Sequence, residues 1–127
     1  MKVSTVLIEA EDLVELPEIT LDVTRPGRYE VRWNLRAAEV GGISLREREH
    51  AHVAVTRTGQ QRLRRVLERY GARPIFVGAS AGFARYRGTP ADVSEFVAAI
   101  RRELLRPGSL ALEIHDYAYS EKEEEAV

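Results

Sequence analysis

Three histidines are the first residues to consider as metal ligands in this chain. His50 and His52 lie in the stretch EHAHVAV, and His115 lies near the C-terminus. Alternate positions of a strand share one face, so two imidazoles at this spacing can chelate one cation. Tyr117 and Tyr119 follow His115 at the same spacing and are candidate nucleophiles beside such a metal.

Aromatic and basic side chains favour a different chemistry, the binding of unpaired bases. In a single antiparallel sheet, strand parity would place the histidines on the same face as Phe83 and its neighbouring arginines. Aromatic and imidazole rings stack on bases, and arginine adds stacking and phosphate contacts. The expected nucleic-acid-binding residues are His52, Phe83, Arg85, Arg87, His115, Tyr117 and Arg57.

Periodicity predicts the elements that must position these residues. Alternating apolar and polar residues predict a β-hairpin over 18–36, with Pro26 and Gly27 in a type II turn. Apolar residues at helical spacing predict one helix over 58–71 and a second helix that Thr89 caps. Strands precede and follow these helices, so the order over the C-terminal part is β-α-β-β-α-β.

This order predicts an α+β fold, a ferredoxin-like β-α-β-β-α-β sandwich with both helices on one face of an antiparallel sheet. The sandwich would span 43–119, after an N-terminal β-meander or hairpin extension over 1–42 and before a disordered acidic tail over 120–127. In this fold the first and last strands are neighbours, and the first and third strands are central. The hairpin is then the candidate cover for the open sheet face.

Parity also predicts which strand residues are buried. In the sandwich, Ile75 should face the helices, whereas Ala54 and Phe76 should face outward. The apolar residues of the hairpin should all be buried, either against the open face or in a second subunit. These hairpin residues are Ile19, Leu21, Val23, Tyr29, Val31, Trp33 and Leu35.

The stretch over 63–100 resembles the middle of an RNA recognition motif. The third strand of that family carries a basic residue, glycine, an aromatic, glycine or alanine, and a second aromatic. The stretch AGFARYRG matches at Gly82, at Phe83 and at the alanine that follows. It departs at Ala81, where the family has a basic residue, and at Arg85, where it has an aromatic. The resemblance implies RNA binding through the open sheet face, without catalysis.

The HAH stretch resembles the His-hydrophobe-His motif of rolling-circle replication initiators, which are metal-dependent nucleases. It departs at Glu49, which lies where the hydrophobe before the first histidine is expected. The resemblance implies a divalent metal as cofactor and a tyrosine that attacks the phosphodiester. The implied ligands are His50, His52 and His115, and the implied nucleophile is Tyr117 or Tyr119.

Composition and charge narrow the class of protein. A chain of 127 residues with 44% hydrophobic residues is most simply one soluble domain. Without cysteine it forms neither disulfides nor thiolate metal sites. No apolar run reaches the length of a bilayer span, so a cytoplasmic location without a membrane partner is expected. Residues 50–106 carry 11 basic and four acidic side chains, which favours an anionic partner.

Three functions remain open at this point. The first is non-catalytic binding of RNA or single-stranded DNA without a cofactor, for which no enzyme activity is expected. The second is a structural or assembly subunit, such as a homodimer, in which the hairpin or a partner buries the open sheet face. The third is the metal-dependent nuclease. Exposure or burial of the open face separates the first function from the second.

Overall fold

The structure is a computed structural model. It describes the backbone of 2–8, 18–35, 39–40, 43–44 and 51–116, and the side chains of 18–35 and 53–111. Within these ranges the chain forms nine strands and two helices. They are β1 (Lys2–Ile8), β2 (Glu18–Arg25), β3 (Arg28–Asn34), β4 (Glu39–Val40), β5 (Ile43–Ser44), β6 (Ala51–Val55), α1 (Arg57–Arg69), β7 (Arg73–Val77), β8 (Ala81–Arg87), α2 (Pro90–Leu104) and β9 (Leu110–Asp116).

The described strands form antiparallel sheets, and the predicted α+β class is confirmed. One sheet has the order β1-β9-β6, a second has the order β2-β3-β8-β7, and a small third sheet pairs β4 with β5. From β6 to β9 the elements follow the predicted order β-α-β-β-α-β. The predicted turn at Pro26 and Gly27 joins β2 to β3, and Gly27 has the positive φ of 75° that its turn position requires.

The four-stranded sheet differs from the predicted ferredoxin-like order in the neighbour of β8. That order places β6 beside β8, but β8 pairs with β3, from Arg28 opposite Arg87 to Asn34 opposite Ala81. Among the described strands, β6 pairs with β9 alone. The hairpin therefore extends the sheet at its edge and does not cover the open face. Pairing side by side satisfies the backbone N–H and C=O groups of β3 and β8, which stacking on a face would leave unpaired.

The two larger sheets meet at the turn between β7 and β8. The backbone N–H of Val55, at the end of β6, donates to the carbonyl of Ala79 at 2.6 Å. The N–H of Leu35, just after β3, donates to the carbonyl of Ser80 at 3.1 Å. One short turn thus holds the ends of β3 and β6, which explains how both strands contribute to one core.

Both helices begin at the capping residues that local chemistry favours. Thr56 caps α1 by accepting from the N–H of Gly59 at 3.0 Å. Thr89 and Asp92 form the reciprocal capping box of α2, with hydrogen bonds of 2.9 and 3.1 Å. The backbone hydrogen bond from Thr89 lowers the pKa of Asp92, and the Thr89 side chain adds to this effect. Within the described part of the chain, neither helix is long and apolar enough to cross a membrane.

One hydrophobic core joins both sheets and both helices. Phe96 of α2 is fully buried and stacks on Tyr86 of β8 with ring centroids 4.8 Å apart. Tyr70, after α1, approaches the same ring at 5.6 Å. Hairpin residues belong to this core and share it with the predicted sandwich. Its largest fully buried apolar side chains are Trp33, Phe96, Leu35, Leu63, Leu67, Ile100, Leu104, Leu110, Val31, Val53 and Val93.

The apolar residues of the hairpin are buried on β3 but only in part on β2. On β3 the prediction is confirmed, because Val31 and Trp33 are buried under the helices. On β2 it is wrong for Leu21, which is 42% exposed, and for Val23, which is 65% exposed, whereas Ile19 is partly buried against the core. β2 is the outermost strand of this sheet among the described strands, so its side chains have a neighbouring strand on one side only.

For two further strand residues, the predicted burial or exposure of the side chain is wrong. Ile75 was expected to be buried, but it is 43% exposed. The β7–β8 register shifts between Pro74 and Phe76, so the simple alternation of faces is interrupted there. Ala54 was expected to face outward, but it is buried, as is Ala111 opposite it on β9. The three-stranded sheet is therefore covered on both faces at this position.

Candidate functional site

Three of the predicted nucleic-acid-binding residues lie in a row on β8. Phe83 is half-buried and Arg85 and Arg87 are exposed, whereas Ala84 and Tyr86 between them are buried. The three side chains therefore share the face of the four-stranded sheet that is turned away from the helices. We call this surface the open face, and the predicted parity of β8 is confirmed.

The predicted histidines lie on a different sheet. His52 lies in β6 opposite Glu113, and His115 lies in β9 opposite Val3, so both belong to the three-stranded sheet. The prediction that these histidines share one sheet with Phe83 is wrong, because β3 and not β6 is the neighbour of β8. The side chains of both histidines lie outside the described residues.

Among the remaining predicted residues, Arg57 is the one whose side chain the structure describes. Arg57 is exposed, but it begins α1 and so belongs to the helix layer. His50, Tyr117 and Tyr119 lie outside the described residues. Within the described part of the chain, no group of three or more His, Cys, Asp and Glu side chains could hold a metal ion. Because the histidine side chains are outside that part, metal binding and nuclease chemistry stay predictions.

Phe83 has a close partner that the sequence analysis did not select. Arg32 lies opposite Phe83 in the β3–β8 pairing, and its guanidinium carbon is 4.3 Å from the centroid of the Phe83 ring. A guanidinium over an aromatic face is a cation–π contact worth about 0.5–1 kcal/mol at an exposed site. Arg85 approaches the same ring at 5.9 Å. The Phe83 ring therefore has two cations as neighbours.

Two carboxylates hold the Arg32 guanidinium over the Phe83 ring. The Asp22 carboxylate accepts from Nη1 at 3.0 Å, and the Glu30 carboxylate accepts from Nη2 at 2.9 Å. The other oxygen of Glu30 is 3.9 Å from Nε of Arg85, so Glu30 bridges both arginines. The Arg32 side chain is nevertheless 46% exposed. A planar cation is thus kept in a fixed orientation while part of it stays open to a ligand.

A groove of about 310 Å³ lies beside this stacked pair. Phe76 of β7, which lies opposite Phe83, is 55% exposed and lines the groove. Thr20 and Asn34 contribute polar groups to the lining. The volume is at the lower end of the range of about 300–1,000 Å³ for small-ligand sites. An aromatic ring, a stacked guanidinium and hydrogen-bonding groups therefore meet in one concave surface.

Packing against a neighbouring strand explains why residue 82 is glycine. It lies opposite Trp33, and a Cβ on Gly82 would overlap the buried Trp33 indole. Gly82 is also one of the residues that carries the resemblance to the RNA recognition motif. Its identity is explained here by the tryptophan of the neighbouring strand, so Gly82 by itself contributes nothing to the functional argument.

Comparison with family models, with curated proteins and with solved structures finds no match to this chain. The resemblance to the RNA recognition motif therefore stays a prediction. The functional argument rests on the geometry and the charge of the open face itself.

The sequence analysis missed several residues of this face. Arg32 was not selected, because its contact with Phe83 requires the pairing of β3 with β8. Arg28 and Arg73 were not selected, although each lies opposite an arginine of β8. Arg28 begins β3 and Arg73 begins β7. Their presence in the sequence indicates positive charge at the start of both strands, but it does not show which strands are neighbours.

Proposed function

We propose that this chain binds single-stranded nucleic acid, with RNA as the first candidate, through the open face of the four-stranded sheet and without catalysis. The observation that carries the proposal is the Arg32–Phe83 stack beside the exposed Phe76 in one groove. Flat aromatic and guanidinium surfaces are what unpaired bases stack on. In a duplex these base faces are already stacked on each other, so the proposal is specific for unpaired strands.

Stacking in the groove would supply the sequence-tolerant part of the affinity. The contact between one base and one aromatic side chain is worth about 1–3 kcal/mol when measured by alanine substitution. Phe76 is the accessible ring, whereas Phe83 is half-buried beneath Arg32. We therefore assign Phe76 as the ring that contacts a base directly. Phe83 would act through the guanidinium that it holds.

Phosphate contacts would continue along β8 from the groove. Arg85 and Arg87 follow Phe83 at alternate positions, so each step along the open face is about 6.6 Å. Both arginines are exposed and can form charge-assisted hydrogen bonds with a phosphodiester. A strand that stacks on Phe76 would therefore have its backbone next to a row of guanidinium groups.

The test is fluorescence anisotropy with a labelled 12-nucleotide RNA and a DNA of the same sequence, at low and at physiological salt. Wild-type protein should bind both, and its affinity should fall as salt rises because phosphate contacts release counterions. Phe76→Ala should weaken binding about 5- to 150-fold, which corresponds to the loss of one stacked base. Arg85→Gln should weaken binding and also reduce the salt dependence.

Val23→Ala is the matched control for Phe76→Ala. Val23 is 65% exposed, but it lies opposite the buried Tyr29 and so faces the helix side of the sheet. Its replacement should leave the affinity unchanged. Absence of binding at low salt, or equal loss of affinity in both variants, would refute binding of nucleic acid through the open face.

A specific observation also favours the second candidate, assembly into a homodimer. The edge strand β2 presents Leu21 and Val23 to solvent, and an edge strand with apolar side chains can pair with another copy. Pairing of two antiparallel copies of β2 centred on Leu21 would align both apolar rows on one face. Analytical ultracentrifugation of wild-type and Val23→Lys protein tests this. A monomer at all concentrations would eliminate the candidate.

A further inference from the structure

A second concave surface lies at the end of the four-stranded sheet where β2, β3, β7 and β8 bring their arginines together. We call it the arginine basin and define it by Arg25, Arg28, Arg73, Arg85 and Arg87. The basin has a volume of about 480 Å³, and the described carboxylate in its lining is Glu30. The basin adjoins the Phe83 groove at Arg85, whose guanidinium carbon is 5.9 Å from the centroid of the Phe83 ring. Its far end at Arg87 is four residues beyond Phe83, which is about 13 Å along β8.

The strand register places like charges directly opposite each other in this basin. Arg28 lies opposite both Arg87 on β8 and Arg25 on β2, and Arg73 lies opposite Arg85. Like charges at directly opposite positions of an antiparallel pair destabilise the sheet. Three such pairs lie at one end of one sheet, and an anionic ligand bound between them would reduce their electrostatic repulsion.

The charges of the basin are not neutralised within the described part of the chain. Glu30 lies 3.9 Å from Arg85 but is already hydrogen-bonded to Arg32 at 2.9 Å. Arg25, Arg28, Arg73 and Arg87 form no ion pair with any described residue. The basin thus holds several exposed guanidinium groups whose hydrogen-bond donors are available to a ligand.

We infer that the arginine basin binds a phosphate group that carries two negative charges. A phosphate monoester has about this charge at neutral pH and inorganic pyrophosphate has at least this charge, whereas an internal phosphodiester has only one negative charge. Arginine is the side chain best suited to phosphate, since its planar fork donates two parallel hydrogen bonds to one group of oxygens. The excess of guanidinium groups over carboxylates matches the doubly charged group better than the single charge of a diester.

The size of the basin is compatible with more than a bare phosphate ion. Its volume falls within the range of about 300–1,000 Å³ for small-ligand sites. Tyr29 and Tyr86, which lie opposite each other on β3 and β8, also line it. The same phosphate chemistry can come from two sources, the terminal phosphate of a nucleic-acid strand or a small phosphorylated molecule. Only the first source rests on the proposed function.

Two binding measurements at constant ionic strength test the inference and distinguish the sources. The first is calorimetric titration with pyrophosphate. The second is anisotropy with one oligonucleotide sequence in three forms, with a 5′-phosphate, with a 3′-phosphate, and with hydroxyls at both ends. The variant is Arg28→Gln combined with Arg87→Gln. The control combines Arg64→Gln with Arg102→Gln, two exposed helix arginines outside the basin lining, so both proteins lose the same charge.

A strand end as ligand predicts that one phosphorylated form binds about tenfold tighter than the hydroxyl form, since bonds to charged groups have about this effect. The preference should disappear in the basin variant and remain in the control. Saturable pyrophosphate binding that is lost only in the basin variant, without preference among the oligonucleotides, also supports the inference and identifies a small molecule as the source.

Equal affinity for all three oligonucleotides together with no saturable pyrophosphate binding would overturn the inference. The inference would also be overturned if the control variant lost as much affinity as the basin variant. The loss would then come from the lower net charge of the protein and not from the basin. Failure of the proposed function has a different signature, in which pyrophosphate binds but Phe76→Ala leaves oligonucleotide binding unchanged. Circular dichroism of both double variants confirms that each is folded.

Discussion

Arg32 and Phe83 lie opposite each other on neighbouring strands, with the guanidinium carbon 4.3 Å from the centroid of the ring. Asp22 and Glu30 hold the guanidinium in this place. The contact joins the N-terminal hairpin to the strand that carries the predicted binding residues. It is also the feature of the open face on which the proposed stacking of a base depends, so substitutions at these positions test the proposed function directly.

Arg32→Lys should weaken binding of single-stranded RNA while leaving its salt dependence nearly unchanged. Lysine keeps the charge, but its ammonium group has no planar face on which a base can stack. We expect an affinity loss of about fivefold, which corresponds to about 1 kcal/mol for one weakened stacking contact. Anisotropy at several salt concentrations measures both quantities. An unchanged affinity together with an unchanged salt dependence would indicate that Arg32 acts only through its charge.

Glu30→Gln should strengthen binding of anionic ligands. Glu30 bridges Arg32 and Arg85, so loss of its charge releases Arg85, leaves Arg32 paired with Asp22 and raises the positive potential of the open face. One charge at contact distance in water changes the energy by about 1 kcal/mol, so the gain should be up to about fivefold at low salt. The gain should disappear at 0.5 M salt because of screening. Weaker binding at low salt would contradict the proposed location of the ligand.

Arg87→Gln should raise the free energy of unfolding in the absence of phosphate. The substitution removes the like-charge pair between Arg28 and Arg87, and cross-strand pairs of this kind are worth about 0.2–1 kcal/mol. Urea denaturation at low salt measures the change, and Arg102→Gln on α2 is the control. At 1 M salt the difference should vanish, since the Debye length is then about 3 Å. Destabilisation at both salt concentrations would mean that Arg87 has a stabilising contact.

Gly82→Ala should destabilise the fold, because the new methyl group would overlap the Trp33 indole in a packed core. Overpacking of this kind costs about 1–3 kcal/mol. Thermal or urea denaturation measures the loss. Combination with Trp33→Phe, which removes part of the indole, should give a smaller loss than the sum of the two single changes. Strict additivity would show that Gly82 and Trp33 do not compete for the same space.

The capping box of α2 predicts a pH dependence of stability. Hydrogen bonds from Thr89 lower the pKa of Asp92 in the folded state. The carboxylate therefore stabilises the fold above the unfolded-state pKa of about 3.9, and this contribution is lost as pH falls through the lower folded-state pKa. Wild type should be more stable than Asp92→Asn at neutral pH and equally stable in strong acid. Glu95→Gln, on the same helix but outside the capping box, is the control for acid denaturation.

The predicted binding residues fall into two groups. The position of one group depends on the sequence of a single strand, and the position of the other depends on which strands pair. Phe83, Arg85 and Arg87 were placed correctly on one face, because alternation along a single strand depends only on the positions within that strand. His52 and His115 were grouped with them through an assumed neighbour of β8. That assumption concerns long-range pairing, and the structure places both histidines on the other sheet.

The sequence alone determined the two helices, the cap of α2, the hairpin turn and the element order β-α-β-β-α-β from β6 to β9. Each of these depends on interactions within a few residues, such as the hydrogen bonds between Thr89 and Asp92 or the positive φ of Gly27. Only the tertiary structure decided that β3 and not β6 pairs with β8. Both strands carry apolar residues at alternate positions and both have free backbone donors and acceptors, so pattern and hydrogen-bonding capacity do not distinguish them. That pairing brings Arg32 onto Phe83 and gathers the basin arginines, because strand register is set by contacts between distant segments.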